Sequence, residues 1–300
     1  MALLERGRSD RDRVRPPSLL ARVRATLEFV KFSHTVFALP FALIAMAVAA
    51  HGLPSLRVFL LILVCMATAR TAAMAFNRLC DWEWDKLNPR TANRSRLATR
   101  GTAWALVAGS LALFLWATWA LNPLCFILAL PAIVLVLGYS LTKRFTPFSH
   151  AFLGLALAAA PMGAWAAVRG ELTDAAPWAL MAGVLCWVFG FDLIYSTLDV
   201  EFDRKAGLFS FPSRYGVPAA LRLAGVLHVV AWGLFLLFGR LAGLGGVYWI
   251  ALAVVAGALV WEQRLSRSGD VGRINVAFFQ VNALVGLTLL LSVALQLWLF

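Results

Sequence analysis

Two nine-residue runs in this chain share the same spacing of polar and acidic residues. Residues 77–85 and 195–203 both read polar-x-x-x-Asp-x-Glu-aromatic-Asp, and each position of the first run matches one 118 positions later. The matched pairs are Asn77 and Tyr195, Asp81 and Asp199, Glu83 and Glu201, and Asp85 and Asp203. Six carboxylates gathered in one place would repel one another unless cations lay between them. The two runs therefore predict a site for divalent metal ions and a polyphosphate.

The chemistry of these side chains favours Mg²⁺, which binds carboxylate oxygens together with the phosphate oxygens of a substrate. On a helix, Asn77, Asp81 and Asp85 fall on one face because they are four residues apart. A similar stripe runs through Asp192, Tyr195 or Ser196, Asp199 and Asp203. Two such clusters on facing helices predict one Mg²⁺ each, both bridging a single diphosphate. Glu83 and Glu201 fall off the stripes, which leaves support of the ligands or simple solvation open for them.

Each acidic run ends a strongly apolar stretch. The chain is 61% hydrophobic and only 14% charged, which is typical of polytopic membrane proteins. A spanning helix needs about 20 mostly apolar residues. Nine stretches qualify, at 32–50, 58–77, 102–121, 124–141, 150–168, 177–197, 220–238, 243–261 and 275–299. The sequence therefore predicts an all-α fold of nine transmembrane helices, with an N-terminal arm and two polar loops, 78–101 and 198–219.

The equal spacing of the acidic runs also predicts an internal duplication. Two four-helix units, at about 32–148 and 149–262, would be followed by a ninth helix at 275–299. Together they form one transmembrane domain, 32–300, around a central cavity. Because each run follows the second helix of its unit, the two copies have the same orientation, unlike the inverted repeats common in transporters.

The net charge of +12 predicts membrane topology rather than nucleic-acid binding. With the N-terminus inside, all but four of the 27 Lys and Arg residues lie on one side, the exceptions being Arg57, Arg70, Arg169 and Arg240. This bias predicts that the N-terminus and both acidic runs face the cytoplasm at a bacterial inner membrane. The basic arm, 1–31, lacks the pattern of a signal peptide, and we expect it to lie against anionic headgroups.

The cysteines and histidines do not predict a site of their own. The four cysteines have no C-x-x-C spacing, so neither a disulfide framework nor a zinc site is indicated. The four histidines, His34, His51, His150 and His228, are scattered and are expected to be structural or interfacial.

Three further segments, together with the acidic runs, carry a resemblance to a known family. They are 32–41, with Phe-Ser-His-Thr and Leu-Pro-Phe, 88–91, with Asn-Pro-Arg-Thr, and 203–216, with Asp-Arg-Lys-Ala-Gly and Pro-Ser-Arg-Tyr-Gly. The chain resembles the UbiA superfamily of intramembrane aromatic prenyltransferases, and within it the 4-hydroxybenzoate polyprenyltransferase branch. One departure is visible after Arg94, where family members usually have proline and this chain has Ser95-Arg96.

The resemblance implies roles for individual residues. Asp81, Asp85, Asp199 and Asp203 match the family's metal ligands, and Asn77 matches their helix-end partner. Basic and polar residues that match diphosphate or acceptor contacts are Arg90, Arg94, Tyr139, Ser140, Lys143 and Arg144. Arg94 and Lys143 are expected to hold the diphosphate, and Arg144 either a phosphate oxygen or the carboxylate of the acceptor.

Two further roles concern the organic part of the reaction. An allylic cation needs a water-free pocket with electron-rich walls, and Phe76, Phe191 and Tyr195 are placed to offer π faces. Asp192, one turn deeper than the metal stripe, matches the family position thought to orient or deprotonate a phenol. A fifth metal ligand is the alternative role for Asp192.

These observations predict a Mg²⁺-dependent membrane enzyme of quinone biosynthesis. It would transfer a polyprenyl group from polyprenyl diphosphate to an aromatic acid, with 4-hydroxybenzoate as the favoured acceptor. One alternative keeps the chemistry and uses a dihydroxynaphthoate-type menaquinone precursor. A second alternative is a cation-coupled transporter, which predicts acids at mid-membrane depth, inverted repeats and broken helices.

Overall fold

The computed structural model describes residues 26, 28–30, 37–87, 91 and 97–299, and the regular structure within them is entirely helical. The helices are α1 (Leu39–Ala50), α2 (Leu56–Cys80), α3 (Trp82–Leu87), α4 (Arg100–Leu121), α5 (Pro123–Thr142), α6 (Ser149–Arg169), α7 (Ala176–Ser196), α8 (Val200–Ala206), α9 (Phe211–Tyr215), α10 (Val217–Leu241), α11 (Gly246–Ser266), α12 (Val271–Val276) and α13 (Asn282–Leu299). A 3₁₀ turn, Thr197–Asp199, joins α7 to α8, and a π-helical turn, Ala277–Val281, joins α12 to α13. The predicted all-α fold is confirmed.

Eight helical segments are long and apolar enough to cross a membrane. They are α2, α4, α5, α6, α10 and α11, together with the continuous pairs α7–α8 and α12–α13. The predicted first span, 32–50, is described as a helix of 12 residues, α1, and its earlier part lies outside the described residues. The count of nine spanning helices therefore stays a prediction, whereas the membrane class of the fold is confirmed.

Local sequence signals explain where several of these helices begin and end. Asn122 adopts an extended backbone and accepts a hydrogen bond from the Cys125 N–H at 2.9 Å, and Pro123 follows it at the first helical position. This one residue turns the chain from α4 into α5. Gly170 ends α6 in the left-handed conformation, with φ of 71°, which glycine adopts without strain.

Helix α7 lies at the centre of the bundle and packs along α6 and α10. Helix α1 lies against α6 and α13, while α2 packs against α4 and α5. The large buried side chains around α7 are aromatic: Trp187 of α7 packs against Phe191 of the same helix and against Phe41 of α1, and Phe41 in turn stacks on Phe235 of α10. Because lipid is as apolar as these rings, close packing rather than water exclusion holds such helices together.

The two acidic runs begin in the same structural context. Each starts near the end of a long helix, α2 or α7, and continues into a short helix, α3 or α8. This similarity agrees with the predicted duplication, but the boundaries of the repeat units stay a prediction.

A buried polar network joins α11 to α13, and the sequence patterns did not predict it. Glu262 and Asn282 have no exposed surface, and the Asn282 Nδ2 donates to Glu262 Oε1 at 2.9 Å. The same amide lies 3.1 Å from the carbonyl oxygens of Ala277 and Phe278, in the π-helical turn. A π turn leaves carbonyls without α-helical partners. The Asn282 side chain therefore stabilises both the turn and a carboxyl group inside the bundle.

We expect Asn282→Leu to destabilise the protein by about 1–3 kcal/mol, because it leaves a buried carboxyl group and two carbonyls without their donor. The melting temperature in detergent measures this effect. The matched control is Asn275→Leu, since Asn275 is exposed and its amide donates only to the Val271 carbonyl. Equal melting temperatures for the two variants would contradict the structural role of the network.

Candidate active site

A polar cavity of about 90 Å³ lies where the two acidic runs meet the end of α5. The cavity is lined by Asp81, Trp84, Asp85, Thr91, Ser140, Lys143, Arg144, Asp199, Phe202, Asp203 and Leu208. The structure thus brings the four predicted metal ligands into one cavity, with Ser140, Lys143 and Arg144 on its wall.

Backbone hydrogen bonds order the first acidic run. The Asp81 N–H donates to the Asn77 carbonyl at 2.9 Å, and the Asp85 N–H donates to the Asp81 carbonyl at 2.7 Å. These bonds carry the helical repeat through the junction of α2 and α3, which keeps the three side chains on one face. The Asn77 Nδ2 donates to Asp81 Oδ2 at 3.3 Å and so orients that carboxylate.

The second run supplies the most deeply buried acid of the cavity, Asp203, which is 2% exposed. Its Oδ2 atom has no hydrogen-bond partner within the described part of the chain. A buried carboxylate oxygen in that state is stabilised by a cation. The loop that follows is tied to α5, because the Phe209 N–H donates to the Lys143 carbonyl at 2.8 Å.

Lys143 is the positive centre of this arrangement. Burial alone would lower the pKa of its ammonium, but the surrounding carboxylates outweigh burial and raise the pKa above its usual value. In order of effect, these carboxylates are Asp203, Asp192, Asp199 and Asp81. Burial raises the pKa of Asp81 to about 6, although Lys143 opposes this rise. The cavity therefore favours additional positive charge near Asp81.

Two arginines hold the first run from the side. The Arg78 Nη1 lies 3.1 Å from Asp85 Oδ2 in a buried ion pair. The Arg144 Nη2 donates to the Cys80 carbonyl at 3.0 Å, and its guanidinium lies 5.0 Å from the centre of the Trp84 ring. The sequence interpretation overlooked Arg78, although its position inside the first run was the available signal.

Asp192 lies close to the polar cavity, and its carboxylate is hydrogen-bonded to His150. Its Oδ2 atom is 2.6 Å from the Nδ1 of His150, which is 1% exposed on α6. The sequence interpretation treated His150 as structural or interfacial. No sequence pattern predicts this contact, because the two residues are 42 positions apart on different helices.

A second, apolar cavity of about 380 Å³ lies behind the first, between α2, α4, α5, α6 and α7. Arg70 and Tyr139 line the end nearest the acidic runs. Tyr139 precedes Ser140 of the polar cavity, so the two cavities are adjacent along α5. A guanidinium inside a membrane bundle is a functional candidate by default. Its position seven residues before Asn77, within an apolar stretch, was the sequence signal.

The predicted aromatic walls fall into two separate clusters. The Tyr195 ring stacks on Phe278 with centroids 4.0 Å apart, and Phe191 lies 5.5 Å from the same ring. Phe76 instead packs edge-on against Trp104 between α2 and α4, with centroids 6.2 Å apart. Phe76 therefore does not share a wall with the other two residues.

The remaining predicted residues either lie outside the described part of the chain or are exposed. Arg90 and Arg94 lie outside the described residues. Glu83 is exposed and pairs with Lys86 at 3.1 Å and with Arg100. Glu201 is exposed as well. Of the two roles left open for these glutamates, solvation agrees with their positions.

The donor set of the polar cavity fits Mg²⁺ in the presence of a diphosphate. Its anionic ligands are oxygens of aspartates, which Mg²⁺ prefers. Among the described residues, no three acidic, histidine or cysteine side chains lie close enough to hold an ion alone. One or two carboxylates per ion, completed by substrate phosphate oxygens and water, are the usual arrangement for Mg²⁺.

A helical membrane bundle with a carboxylate-lined polar cavity at one end and an apolar cavity behind it is the arrangement expected of a membrane enzyme whose substrate has a charged head and an apolar tail. Residues 38–295 match the model of the UbiA prenyltransferase family, and the chain belongs to this family. It is therefore a membrane-embedded prenyltransferase. This membership does not support the transporter alternative.

Two curated relatives are both named as prenyltransferases that act on 4-hydroxybenzoate. The chain is 34% identical over 230 residues to the 4-hydroxybenzoate octaprenyltransferase of Azoarcus sp. (strain BH72), covering 74% of this chain and 78% of that protein. It is 31% identical over 263 residues to the 4-hydroxybenzoate solanesyltransferase of Synechocystis sp. (strain ATCC 27184 / PCC 6803 / Kazusa), covering 85% and 88%.

Solved structures agree on the fold. A UbiA homologue from Aeropyrum pernix K1, solved in its apo form, has a TM-score of 0.78 and 30% identity, covering 86% of this chain and 96% of that one. A UbiA homologue from Archaeoglobus fulgidus bound to GPP and Mg²⁺ has a TM-score of 0.66 and 20% identity, covering 90% and 99%. At that lower identity, the second similarity concerns the fold alone.

Proposed function

We propose that this enzyme transfers a polyprenyl group from polyprenyl diphosphate to 4-hydroxybenzoate in ubiquinone biosynthesis. The observation that supports this proposal most strongly is that Asp81, Asp85, Asp199, Asp203 and Lys143 line one polar cavity. The names of the curated relatives support the acceptor and the long prenyl chain. We further propose that the cavity opens to the cytoplasm at the inner membrane, as the distribution of basic residues indicates.

The diphosphate end of the donor occupies the polar cavity in this proposal. Asp81 and Asp85 from one run, and Asp199 and Asp203 from the other, would hold Mg²⁺ between them and the diphosphate. The ions would supply electrostatic stabilisation of the leaving diphosphate. Lys143 adds a fixed positive charge from the end of α5.

The acceptor lies at the junction of the two cavities. Its carboxylate needs a cation apart from the diphosphate site, and the Arg70 guanidinium in the apolar cavity provides one. Asp192 would accept a hydrogen bond from the hydroxyl of the acceptor. Arg144, whose guanidinium is held at Cys80 and Trp84, then belongs with the diphosphate.

The proposed transfer breaks one bond of the donor and forms one bond to the acceptor. The C–O bond to the diphosphate breaks and its electron pair leaves with the diphosphate. The ring carbon ortho to the hydroxyl uses a π pair to form the new C–C bond, and its proton then passes to the released diphosphate. The charge of the allylic fragment is spread over the allylic carbons before capture. The Tyr195 and Phe278 rings stack on each other and are not among the residues that line the two cavities.

The test is a transfer assay with purified protein, Mg²⁺, a polyprenyl diphosphate and three acceptors: 4-hydroxybenzoate, a dihydroxynaphthoate, and 4-hydroxybenzyl alcohol as a neutral phenol. We expect efficient prenylation of 4-hydroxybenzoate. Product from the naphthoate alone would favour the menaquinone alternative, and no product from any aromatic acid would overturn the proposal.

The same assay tests the role of Arg70. We expect Arg70→Leu to raise the KM for 4-hydroxybenzoate about 10- to 100-fold, the value of a hydrogen bond to a charged group. The KM for the donor and for the neutral phenol should change little. Arg57→Leu is the matched control, since Arg57 lies at the opposite end of α2 and donates to the Ala120 carbonyl. Equal losses for charged and neutral acceptors would exclude carboxylate binding.

A further inference from the structure

His150 is buried at the start of α6, and its ring contacts Asp192, the one acidic residue of α7. The ring nitrogen Nδ1 lies 2.6 Å from Asp192 Oδ2, which is a short, charge-assisted hydrogen bond. His150 is 1% exposed, whereas the Asp192 side chain is 18% exposed. The histidine is therefore fixed in the protein, and the carboxylate is the member of the pair that a substrate can reach.

The close approach of α6 and α7 explains why the two side chains meet. Gly154 lies one turn after His150, and a Cβ atom at Gly154 would be 2.7 Å from the Leu185 carbonyl oxygen and 3.3 Å from the Phe189 nitrogen. The two helices follow each other in the chain and run in opposite directions. One turn back on α6 from Gly154 therefore corresponds to about one turn forward on α7 from Phe189, which is Asp192.

Asp192 also acts electrostatically on Lys143. Among the carboxylates that act on the Lys143 ammonium, Asp192 ranks second after Asp203. A carboxylate beside a buried ammonium tends to turn toward it and form an ion pair. In that orientation the Asp192 carboxylate would neutralise Lys143 of the diphosphate site, and it would no longer contact the hydroxyl of the acceptor. The hydrogen bond from His150 opposes this rotation.

The other ring nitrogen indicates what His150 does not do. His150 Nε2 is buried and has no hydrogen-bond partner in the described part of the chain. A proton relay needs a donor at one ring nitrogen and an acceptor at the other, and the described residues offer only Asp192 as a partner. The geometry agrees with a fixed donor better than with a relay.

We infer that His150 is a positioning residue: its Nδ1–H holds one oxygen of Asp192, so that the other oxygen faces the hydroxyl of the aromatic acceptor rather than Lys143. This inference rests on the proposed function, because it assumes an aromatic acceptor with a hydroxyl group.

Two substitutions separate the donor from the ring. In His150→Asn the amide nitrogen takes the place of Nδ1 and keeps the donor but cannot titrate, whereas His150→Leu removes the donor. We expect His150→Leu to lower kcat for transfer about 10- to 100-fold, less than the 10²–10⁴ that a positioned acid–base group contributes, because Asp192 itself remains. The Kd for the prenyl diphosphate should stay within a few-fold of wild type. His150→Asn should recover most of the lost kcat.

Two further measurements guard against a trivial loss of structure. His228→Leu removes an equally buried histidine on α10, which packs against Gly190 of α7. This variant should change neither kcat nor the Kd for the prenyl diphosphate by more than a few-fold. The double variant His150→Leu/Asp192→Asn should be no slower than Asp192→Asn alone, because the two residues act as one unit.

The inference is wrong if His150→Asn is as slow as His150→Leu, if the losses add in the double variant, or if His150→Leu weakens donor binding as strongly as it lowers kcat. These outcomes are distinct from failure of the proposed function, which would appear as absence of transfer by the wild-type enzyme to any aromatic acid.

Discussion

Replacing Asp81 or Asp199 by alanine is expected to lower turnover by about 10²-fold or more, the usual loss when a group that stabilises transition-state charge is removed. Each residue lines the polar cavity from a different acidic run. If each run holds one metal ion against the diphosphate, either substitution removes half of the electrostatic stabilisation of the leaving group. The measurement is the rate of prenyl transfer, with and without a chelator, and its recovery with Mg²⁺ or Mn²⁺.

The same substitutions should leave the fold intact. Asp81 lies at the end of α2, and its raised pKa of about 6 shows that its charged form is not favoured by burial. Removing the carboxyl group therefore relieves the cost of burying its charge, which offsets the loss of its hydrogen bond from the Asn77 Nδ2. The matched control is Glu83→Ala, an exposed acid of the same run that pairs with Lys86 outside the cavity. Wild-type rates in Asp81→Ala or Asp199→Ala would contradict the model of two metal clusters.

The acidic runs were predictable because their information is local. The spacing of Asn77, Asp81 and Asp85 sets one helical face, and helical backbone hydrogen bonds maintain that spacing across the break after Cys80. The 118-residue offset predicted that the second run would behave in the same way, and Asp199 and Asp203 do reach the same cavity. Local spacing and composition were therefore enough to predict both the all-α membrane fold and the position of the candidate site.

Contacts between helices were not predictable, because periodicity identifies a face of a helix but not its partner. His150 and Asp192 meet only because Gly154 allows α6 and α7 to approach closely. Phe76 lies on α2 close to Asn77, yet the rotation of that helix turns its ring toward Trp104. Both outcomes depend on how the helices are rotated and packed, which a single sequence does not encode in any short pattern.

Buried polar groups in the membrane show the same limit. Glu262 and Asn282 stand 20 residues apart within apolar helices, and nothing in their spacing predicts a hydrogen bond. Arg70 gave a clearer signal, since a lone arginine in an apolar stretch is rare without a function. The topology argument set it aside as one exception among the basic residues. Its position in the apolar cavity makes it a candidate for substrate binding as well.

Lys143→Ala and Asp192→Asn are expected to separate donor binding from transfer. Lys143 lines the polar cavity and is surrounded by carboxylates that keep it charged. Its removal should weaken binding of the prenyl diphosphate about 10- to 100-fold, the value of a hydrogen bond to a charged group, whichever acceptor is supplied. Asp192→Asn keeps the size of the side chain but removes its charge. It should lower transfer by about 10²–10⁴ while donor and metal binding stay near wild type.

The decisive measurement is donor affinity in these two variants, side by side with Asp199→Asn. Asp192 is hydrogen-bonded to His150 and acts electrostatically on Lys143, so its carboxylate has a path to either role: toward the acceptor, or toward the diphosphate and its metal ions. A base that acts on the acceptor leaves the donor bound, because the diphosphate is held by other groups. If Asp192→Asn loses donor and metal binding as fully as Asp199→Asn, then Asp192 is a fifth metal ligand and the acceptor-side role is wrong.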